Sequence, residues 1–388
     1  MAVFFYLYKS SQFVSIRVNF VYRAQGGKNM KRAYNFNAGP AALPEWVLQE
    51  AQKSWMDFNN TGMSVMELSH RSKDYEGVHN EAKALLASLL SIPEDYEILF
   101  LQGGASLQFT MVPMNLLDNG QTGYYALTGV WAEKALKEAA KIGKTEIAAS
   151  SKDDNYTYIP EAGEIQVPEN AAYLHITSNN TIYGTQWQSF PTGLKVPVVA
   201  DMSSDILSTP IDVKNFDMIY AGAQKNLGPS GVTVVIIKKE LIKKNSALPT
   251  MLSYETHASS NSLFNTPPTL AIYLLSLVLK WAENQGGLEA IAAINNKKAE
   301  TLYNVIDNSN GFYNGHAAKN SRSKMNVTFT LQSDELTKRF LEEAKQAGFV
   351  GLNGHRSIGG CRASIYNAVP LEHVEALAEF MKTFQQNA

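Results

Sequence analysis

Residues 220–231 read YAGAQKNLGPSG, and they place one lysine, Lys225, just after a short apolar run. Small residues and glycines surround this lysine, so the backbone can come close to a flat ring and leave room for it. An earlier apolar run, residues 196–200, is followed directly by an acid, Asp201. Taken singly, Lys225 is most simply a surface lysine, and Asp201 is most simply the cap of a turn. As a pair at the ends of two apolar runs, they indicate chemistry that uses both an amine and a carboxylate.

Short apolar runs of strand length extend outward from this stretch in both directions. The predicted strands are residues 98–101, 124–127, 146–149, 173–176, 196–200, 218–220 and 232–237. Helical patterns precede or separate them, at residues 45–57, 76–90 and 130–142. Continuous apolar strands separated by helices predict an α/β fold, with a mostly parallel seven-stranded sheet covered on both faces.

The last hundred residues have a different pattern. Predicted helices at residues 288–305, 335–347 and 371–384 alternate with predicted strands at 327–331 and 363–366. We therefore expect a large domain over residues 46–287 and a smaller α+β domain over residues 288–388. Residues 30–45 are expected to be an N-terminal segment associated with the small domain.

The first 29 residues differ from the rest of the chain. Their first apolar run, residues 2–8, ends at Lys9 and is far shorter than the ~20 apolar residues that span a bilayer. A signal peptide is also a poor interpretation, because no basic segment precedes that run. Met30 follows a linker-like stretch, residues 25–29. We expect Met30 to be the working start and residues 1–29 to be a dispensable extension.

The composition excludes several classes of protein. The 388 residues are 45% hydrophobic, which excludes wholesale disorder, and their net charge of −2 argues against a general nucleic-acid-binding surface. Cys361 is the only cysteine, so neither an intramolecular disulfide nor a Cys-rich zinc site is expected, and the cytosol is the expected compartment. The sequence lacks the phosphate loop, the dinucleotide fingerprint, the zinc-protease motif and the hydrolase elbow. Nucleic acid, membrane and metal are therefore not among the expected partners.

Pyridoxal phosphate chemistry suits the pair of Lys225 and Asp201. A lysine that forms a Schiff base with this cofactor must lie close to it and reach its neutral form easily. A carboxylate against the ring nitrogen keeps that nitrogen protonated, so that the ring can take up electrons.

Five motifs, in this order along the chain, resemble those of the phosphoserine aminotransferase family of fold-type I pyridoxal-phosphate enzymes. They are YNFNAGPA at 34–41, ELSHR at 67–71, AQKNLGP at 223–229, NTPPT at 265–269, and GHR at 354–356 with RASIYN at 362–367. The resemblance runs from about Tyr34 to near the C-terminus. It implies a homodimer that moves an amino group between L-glutamate and 3-phosphooxypyruvate, giving O-phospho-L-serine and 2-oxoglutarate in serine biosynthesis. It also implies a related reaction on 4-phosphooxy-L-threonine in vitamin B6 biosynthesis.

The resemblance implies roles for residues around the cofactor, pyridoxal 5'-phosphate. By position, Lys225 matches the Schiff-base lysine and Asp201 the acid at the ring nitrogen. Trp131 matches the aromatic residue that stacks on the ring, and Thr181 matches a polar contact to the cofactor. Gln224, Ala105 and Ser106 match residues at the phosphate. Asn265 and Thr266 match residues that reach that phosphate from the partner subunit. Backbone N–H groups of residues 103–106 can hold the phosphate if a helix begins there. Many family members have Gly-Arg where this chain has Ala105 and Ser106, so an arginine contribution is not expected.

The resemblance also implies an anion-binding pocket for the substrate. Arginine forks grip carboxylate and phosphate through two bonds. Arg362 matches the residue that binds the α-carboxylate, and four residues match the pocket for the distal phosphate or carboxylate: His70, Arg71, His355 and Arg356. Two alternatives stay open. One is another fold-type I enzyme, such as an alanine–glyoxylate aminotransferase or a cysteine desulfurase, and the other is a non-catalytic homodimer that keeps the fold as a binding or scaffold protein.

Overall fold

The computed structural model describes residues 22–23, 29–30, 32–243 and 247–388. The chain divides into one unit before Tyr34 and a second from Tyr34 to Ala388. In the first unit, β1 (Tyr22–Arg23) pairs antiparallel with β2 (Asn29–Met30). The hypothesis about residues 1–29 falls mostly outside the described residues, and it stays a prediction.

The second unit alternates helices and strands. Its helices are α1 (Glu45–Lys53), α2 (Lys73–Leu90), α3 (Gly104–Leu116), α4 (Val130–Ala139), α5 (Tyr254–Ser259), α6 (Thr269–Asn284), α7 (Gly287–Asp307), α8 (Asp334–Gln346) and α9 (Leu371–Gln386). Its strands are β3 (Tyr34–Asn35), β4 (Tyr96–Leu101), β5 (Thr122–Leu127), β6 (Lys144–Ser150), β7 (Tyr173–Thr177), β8 (Asn179–Asn180), β9 (Thr185–Gln186), β10 (Val198–Asp201), β11 (Met218–Gly222), β12 (Thr233–Lys238), β13 (Tyr313–Gly315), β14 (Asn326–Leu331), β15 (Phe349–Val350) and β16 (Cys361–Ser364). Among the described residues, no helix has the length and apolar character to cross a membrane.

The central sheet has seven strands in the order β4-β12-β11-β10-β7-β5-β6. Six strands run in one direction, and β12 is antiparallel to both of its neighbours. The reversal follows from chain length, because residues 223–232 are too few for the helical crossover that a parallel return needs. The predicted α/β fold with a mostly parallel seven-stranded sheet is confirmed.

Both faces of the inner strands of this sheet are buried, whereas the edge strand β6 is mostly exposed. Alternate residues of a strand point to opposite faces, so Ala200 and Ile219 pack in the same apolar cluster as residues of α2 and α6. Val199 and Tyr220 point the other way, into a cluster with residues of α3 and α4. Helix α6 is absent from the predicted helices because its apolar residues run nearly all the way round, leaving no polar face to mark the helical period.

A second, antiparallel sheet of order β13-β14-β16 packs with α7, α8 and α9 around its own apolar cluster. Strand β16 covers residues 361–364, two residues earlier than predicted, because it pairs with β14 only as far as Ser364. Arg362 therefore lies within a strand, opposite Thr328. The division into domains at residue 287 stays a prediction.

Candidate active site

The predicted lysine and acid come together at the carboxyl edge of the central sheet. In β10, Asp201 lies beside Thr177 of β7 and Tyr220 of β11. Lys225 follows the end of β11, in the short turn that leads to β12. Sheets of this kind bind their ligands outside the carboxyl ends of the parallel strands, so this edge is the expected location of a site.

The amine of Lys225, a half-buried residue, is held in place by its neighbours. Its Nζ donates a hydrogen bond of 2.7 Å to Thr181 Oγ1 and lies 5.6 Å from the ring centroid of Trp131. Burial lowers the pKa of Lys225 to about 8, and the charge of Arg362 acts in the same direction against the opposing pull of Asp201. A larger share of this amine is therefore neutral near pH 7 than of an ordinary lysine, as a nucleophile or base requires.

The carboxylate of Asp201 is held by the turn that follows it. Ser203 donates two hydrogen bonds to Asp201 Oδ1, from its backbone N at 3.0 Å and from its Oγ at 2.6 Å. The backbone N of Gly222 donates to the same Ser203 hydroxyl at 3.0 Å, which ties the turn to the end of β11. Burial raises the pKa of Asp201, and the hydrogen bonds from Ser203 and the charge of Lys225 lower it. Asp201 is thus both the cap of a turn and a buried acid that can face a cation.

Ser203 and Thr177 are functional candidates that the sequence analysis did not name. Ser203 stands two residues after Asp201, the spacing at which a serine closes a turn on an acid, and that signal was present in the sequence. Thr177 depends on strand register, which brings it next to Asp201. Its Oγ1 is buried with no partner among the described residues, although Thr177 lines the cavity beside Lys225.

This cavity, of about 120 Å³, collects most of the predicted cofactor residues. Its lining includes Ala105, Ser106, Trp131, Thr177, Asp201, Ser203, Gln224 and Lys225. The residues fit pyridoxal phosphate by their chemistry: an amine, a carboxylate, an aromatic ring and a hydroxyl that lacks a protein partner.

The N-terminus of α3 forms one wall of the cavity. Helix α3 begins at Gly104, as the sequence predicted, and Gly103 and Gly104 have φ angles of 88° and 64°. Only glycine adopts this backbone region freely, and these residues aim the first helical N–H groups at one point. Such a helix start suits the phosphate of the cofactor.

Arg362, from strand β16 of the second sheet, lies next to Thr181 and Lys225. Its Nη1 donates to the backbone O of Thr181 at 3.2 Å, so Thr181 bonds to both Arg362 and Lys225. Burial lowers the pKa of Arg362. Burial also lowers the pKa of His355, and the nearby charges of Arg362, Arg356 and Lys134 add to that effect. These cations form a positive region that suits a polyanionic substrate.

The remaining predicted residues do not line this cavity. His70 and Arg71 lie in the turn before α2, and Arg71 is exposed. Asn265 and Thr266 precede α6, where the backbone O of Thr266 accepts a hydrogen bond of 3.2 Å from Gln102 Nε2. Within one chain, these four residues are not among those that line the cavity beside Lys225.

This fold, with an amine and a carboxylate at the carboxyl edge of its sheet, is that of a fold-type I pyridoxal-phosphate-dependent enzyme. The family model for class-V aminotransferases matches residues 33–377, and the chain belongs to that family. The protein is therefore a pyridoxal-phosphate-dependent aminotransferase.

Several relatives are similar over nearly their full length. The phosphoserine aminotransferase of Geobacillus kaustophilus (strain HTA426) is 67% identical over 358 residues, which cover 92% of this chain and 99% of the relative. A solved structure on radiation damage of the Schiff base in phosphoserine aminotransferase is 63% identical, with a TM-score of 0.92, and covers 92% of this chain and 100% of its own. The crystal structure of PLP-bound phosphoserine aminotransferase from Trichomonas vaginalis is 37% identical, with a TM-score of 0.86, and covers 90% of this chain and all of its own.

Proposed function

We propose that this aminotransferase moves the amino group of L-glutamate to 3-phosphooxypyruvate, giving O-phospho-L-serine and 2-oxoglutarate, in a reversible reaction. The observation that carries the proposal is Thr181, which bonds to the amine of Lys225 and to the guanidinium of Arg362. One residue thus sets a reactive amine beside a carboxylate-binding group. The similarity to phosphoserine aminotransferases supports the choice of substrate.

Four side chains and the N-terminus of α3 hold the cofactor within one chain in this proposal. Asp201 faces the ring nitrogen, Trp131 stacks on the ring, and Thr181 contacts its edge. The phosphate is bound by the N-terminal backbone of α3, at Ala105 and Ser106, together with Gln224. When bound, pyridoxal phosphate supplies an electron sink for the pair left on the substrate α-carbon.

Lys225 is the base in this proposal. Its Nζ accepts the proton from the substrate α-carbon and carries it over a short distance, which requires the neutral amine. Burial favours that form, since it lowers the pKa of Lys225 to about 8. Thr181 Oγ1 keeps Nζ at a fixed position while the proton moves.

Arg362 binds the α-carboxylate, and the group of His355 and Arg356 binds the distal phosphate or carboxylate. A compound with two anionic ends gains binding energy from Arg362 and from the distal pair, whereas alanine or cysteine gains it only from Arg362. His70 and Arg71 take part in the distal pocket as well. Since they lie away from the cavity of their own chain, we propose that they act in the site of a second copy.

A homodimer follows from this arrangement. Asn265 and Thr266 are proposed to reach the cofactor phosphate of the second copy in the same way. Large apolar side chains close to these residues in the sequence are exposed: Trp55, Met56, Met63, Met66 and Phe264. Aromatic and methionine side chains are enriched in protein interfaces, which supports the proposed dimer.

Hybrid dimers test the sharing of sites. In a mixture of Lys225→Ala and Arg71→Ala chains, a mixed dimer regains one intact site if Arg71 acts across the interface. We expect about a quarter of the wild-type activity from two inactive parents mixed equally. If Arg71 acts within its own chain, every site stays defective, and no activity returns.

The proposal includes a second substrate and a location for the protein. The same pocket accepts 4-phosphooxy-L-threonine, whose chain has one more carbon, which bears a hydroxyl, between the two anionic ends, in the vitamin B6 pathway. A cytosolic location stays a prediction based on the single cysteine, Cys361.

Steady-state assays test the reaction itself. With glutamate and 3-phosphooxypyruvate, Lys225→Ala removes nearly all turnover, and Arg362→Ala raises the KM for both substrates. Lys137→Ala is the matched control, because Lys137 is exposed and, in the part of the chain that the structure describes, pairs with Glu133 at 3.4 Å and with no residue of the site. Normal turnover in Lys225→Ala would overturn the proposal.

A further inference from the structure

Two buried side chains behind Asp201 have no part in the function described so far. Tyr220 lies in β11 directly beside Asp201, and His175 lies in β7 beside Val199. The side chains of Asp201, Tyr220 and His175 point to the sheet face that α3 and α4 cover. His175 Nε2 and the Tyr220 hydroxyl are 2.7 Å apart, and Asp201, Tyr220 and His175 are each at most 5% exposed.

We infer that His175 and Tyr220 form a hydrogen-bond relay that ends on Asp201 and holds it as an anion facing the cofactor's ring nitrogen. Both are positioning residues, because they act on the cofactor only through Asp201. The inference rests on the proposed role of Asp201. It gives a function to the polar groups buried beneath the site.

The position of the His175 proton follows from its neighbours. His175 is neutral near pH 7, since burial lowers its pKa to about 3, and it therefore carries one ring proton. Its Nδ1 has no hydrogen-bond partner among the described residues. A proton on Nδ1 would be a buried donor without an acceptor, which proteins avoid more strictly than a free lone pair. We therefore place the proton on Nε2, which donates it to the Tyr220 oxygen.

This arrangement fixes the direction of the next bond. With its oxygen accepting from His175, the Tyr220 hydroxyl is left to donate its own proton, and the carboxylate of Asp201 lies beside Tyr220 across the two strands. Burial raises the pKa of Asp201, and hydrogen bonds from Ser203 and Tyr220 oppose that effect. Ser203 binds the carboxylate from the turn, and the relay approaches from the sheet interior, so the anion has donors from two sides.

The test separates the ring nitrogen from the rest of the cofactor. Full-length protein freed of cofactor is titrated with pyridoxal phosphate and with 1-deazapyridoxal phosphate, in which a CH group replaces the ring nitrogen. We expect Tyr220→Phe to weaken binding of pyridoxal phosphate about tenfold, the loss of one hydrogen bond to a charged group. Binding of the deaza compound should change less than about twofold, because it makes no bond to Asp201.

Matched variants separate this role from a purely structural one. Tyr173→Phe removes a buried hydroxyl from the same sheet face, where it bonds to Tyr125 at 2.7 Å, so it should leave the affinity ratio of the two compounds unchanged. His175→Leu should lower the ratio, and His175→Gln should restore it, since a glutamine amide also donates toward Tyr220. The two His175 variants provide the test if Tyr220→Phe does not fold.

The outcomes distinguish the inference from the function it rests on. If the wild-type protein binds both compounds equally, Asp201 does not face the ring nitrogen, and the proposed cofactor arrangement falls together with the relay. If the wild-type protein prefers pyridoxal phosphate and the variants of Tyr220 and His175 keep the full preference, the relay alone is overturned.

Discussion

Replacing Ser203 with alanine isolates the support that the turn gives to Asp201. The side chain donates to Asp201 Oδ1 at 2.6 Å and accepts from the backbone N of Gly222 at 3.0 Å. The Ser203→Ala variant loses both bonds but keeps the bond from the Ser203 backbone N to Asp201. The change therefore weakens the stabilisation of the Asp201 anion without removing the turn.

The two lost bonds have separate consequences. A hydrogen bond to a charged group contributes about 1.5–3 kcal/mol, so losing the bond to Asp201 should weaken pyridoxal phosphate binding about 10- to 100-fold. The Gly222 N–H is left buried without an acceptor, which should lower the free energy of unfolding by about 1–3 kcal/mol. We therefore expect Ser203→Ala to lose both cofactor affinity and stability.

Ser309→Ala is the matched control for this prediction. Ser309 is also buried, donates to the backbone O of Ile306 at 2.7 Å and accepts from the backbone N of Tyr313 at 2.9 Å. Denaturant unfolding should show a similar loss of stability for both variants, and fluorescence titration should show weaker cofactor binding only for Ser203→Ala. Equal cofactor affinity in the two variants would refute the assigned role of Ser203.

Three other predictions concern the same cavity. Labelling of Lys225 in cofactor-free protein by an amine-directed reagent, followed by mass spectrometry, should speed up about tenfold from pH 7 to pH 9, because a pKa of about 8 makes the amine neutral over this range. A rise of about a hundredfold, as for an ordinary lysine, would contradict the lowered pKa. Thr181→Val removes the bond to Nζ and should lower kcat more than it changes KM, so an unchanged kcat would count against its positioning role. Gly103→Ala places a Cβ 2.6 Å from the Leu107 side chain and should weaken cofactor binding. Its control is Gly120→Ala, at a similar φ, where the new Cβ meets nothing within 4 Å and the only cost should be backbone strain of about 1 kcal/mol. Equal cofactor affinity in the two variants would contradict this prediction.

The sequence was sufficient for the sheet and for the central pair of the site. Strands β10 and β11 are buried runs, and Asp201 at the end of β10 and Lys225 just after β11 line one cavity. Thr177 and Tyr220 could not be found in this way, because their importance comes from strand register and not from any local pattern. Helix α6 lacks a polar face, so its period is not visible in the sequence.

Residues that act between chains are a different case. The motifs that contain Arg71 and Thr266 resemble family motifs, but no spacing within one chain relates them to Lys225. The structure leaves both pairs, His70 with Arg71 and Asn265 with Thr266, outside the cavity of their own chain. Their roles depend on a second copy, and for that reason they stay proposals.

The most direct measurement is a single half-reaction followed by absorbance. The protein loaded with pyridoxal phosphate is mixed with O-phospho-L-serine and, in parallel, with L-alanine and L-cysteine at equal concentration. We expect phosphoserine to convert the bound cofactor to its aminated form, while alanine and cysteine leave it nearly unchanged, because only phosphoserine engages both Arg362 and the distal cations. Conversion by alanine alone would contradict the proposed substrate, and a protein that binds no cofactor would contradict the enzyme itself.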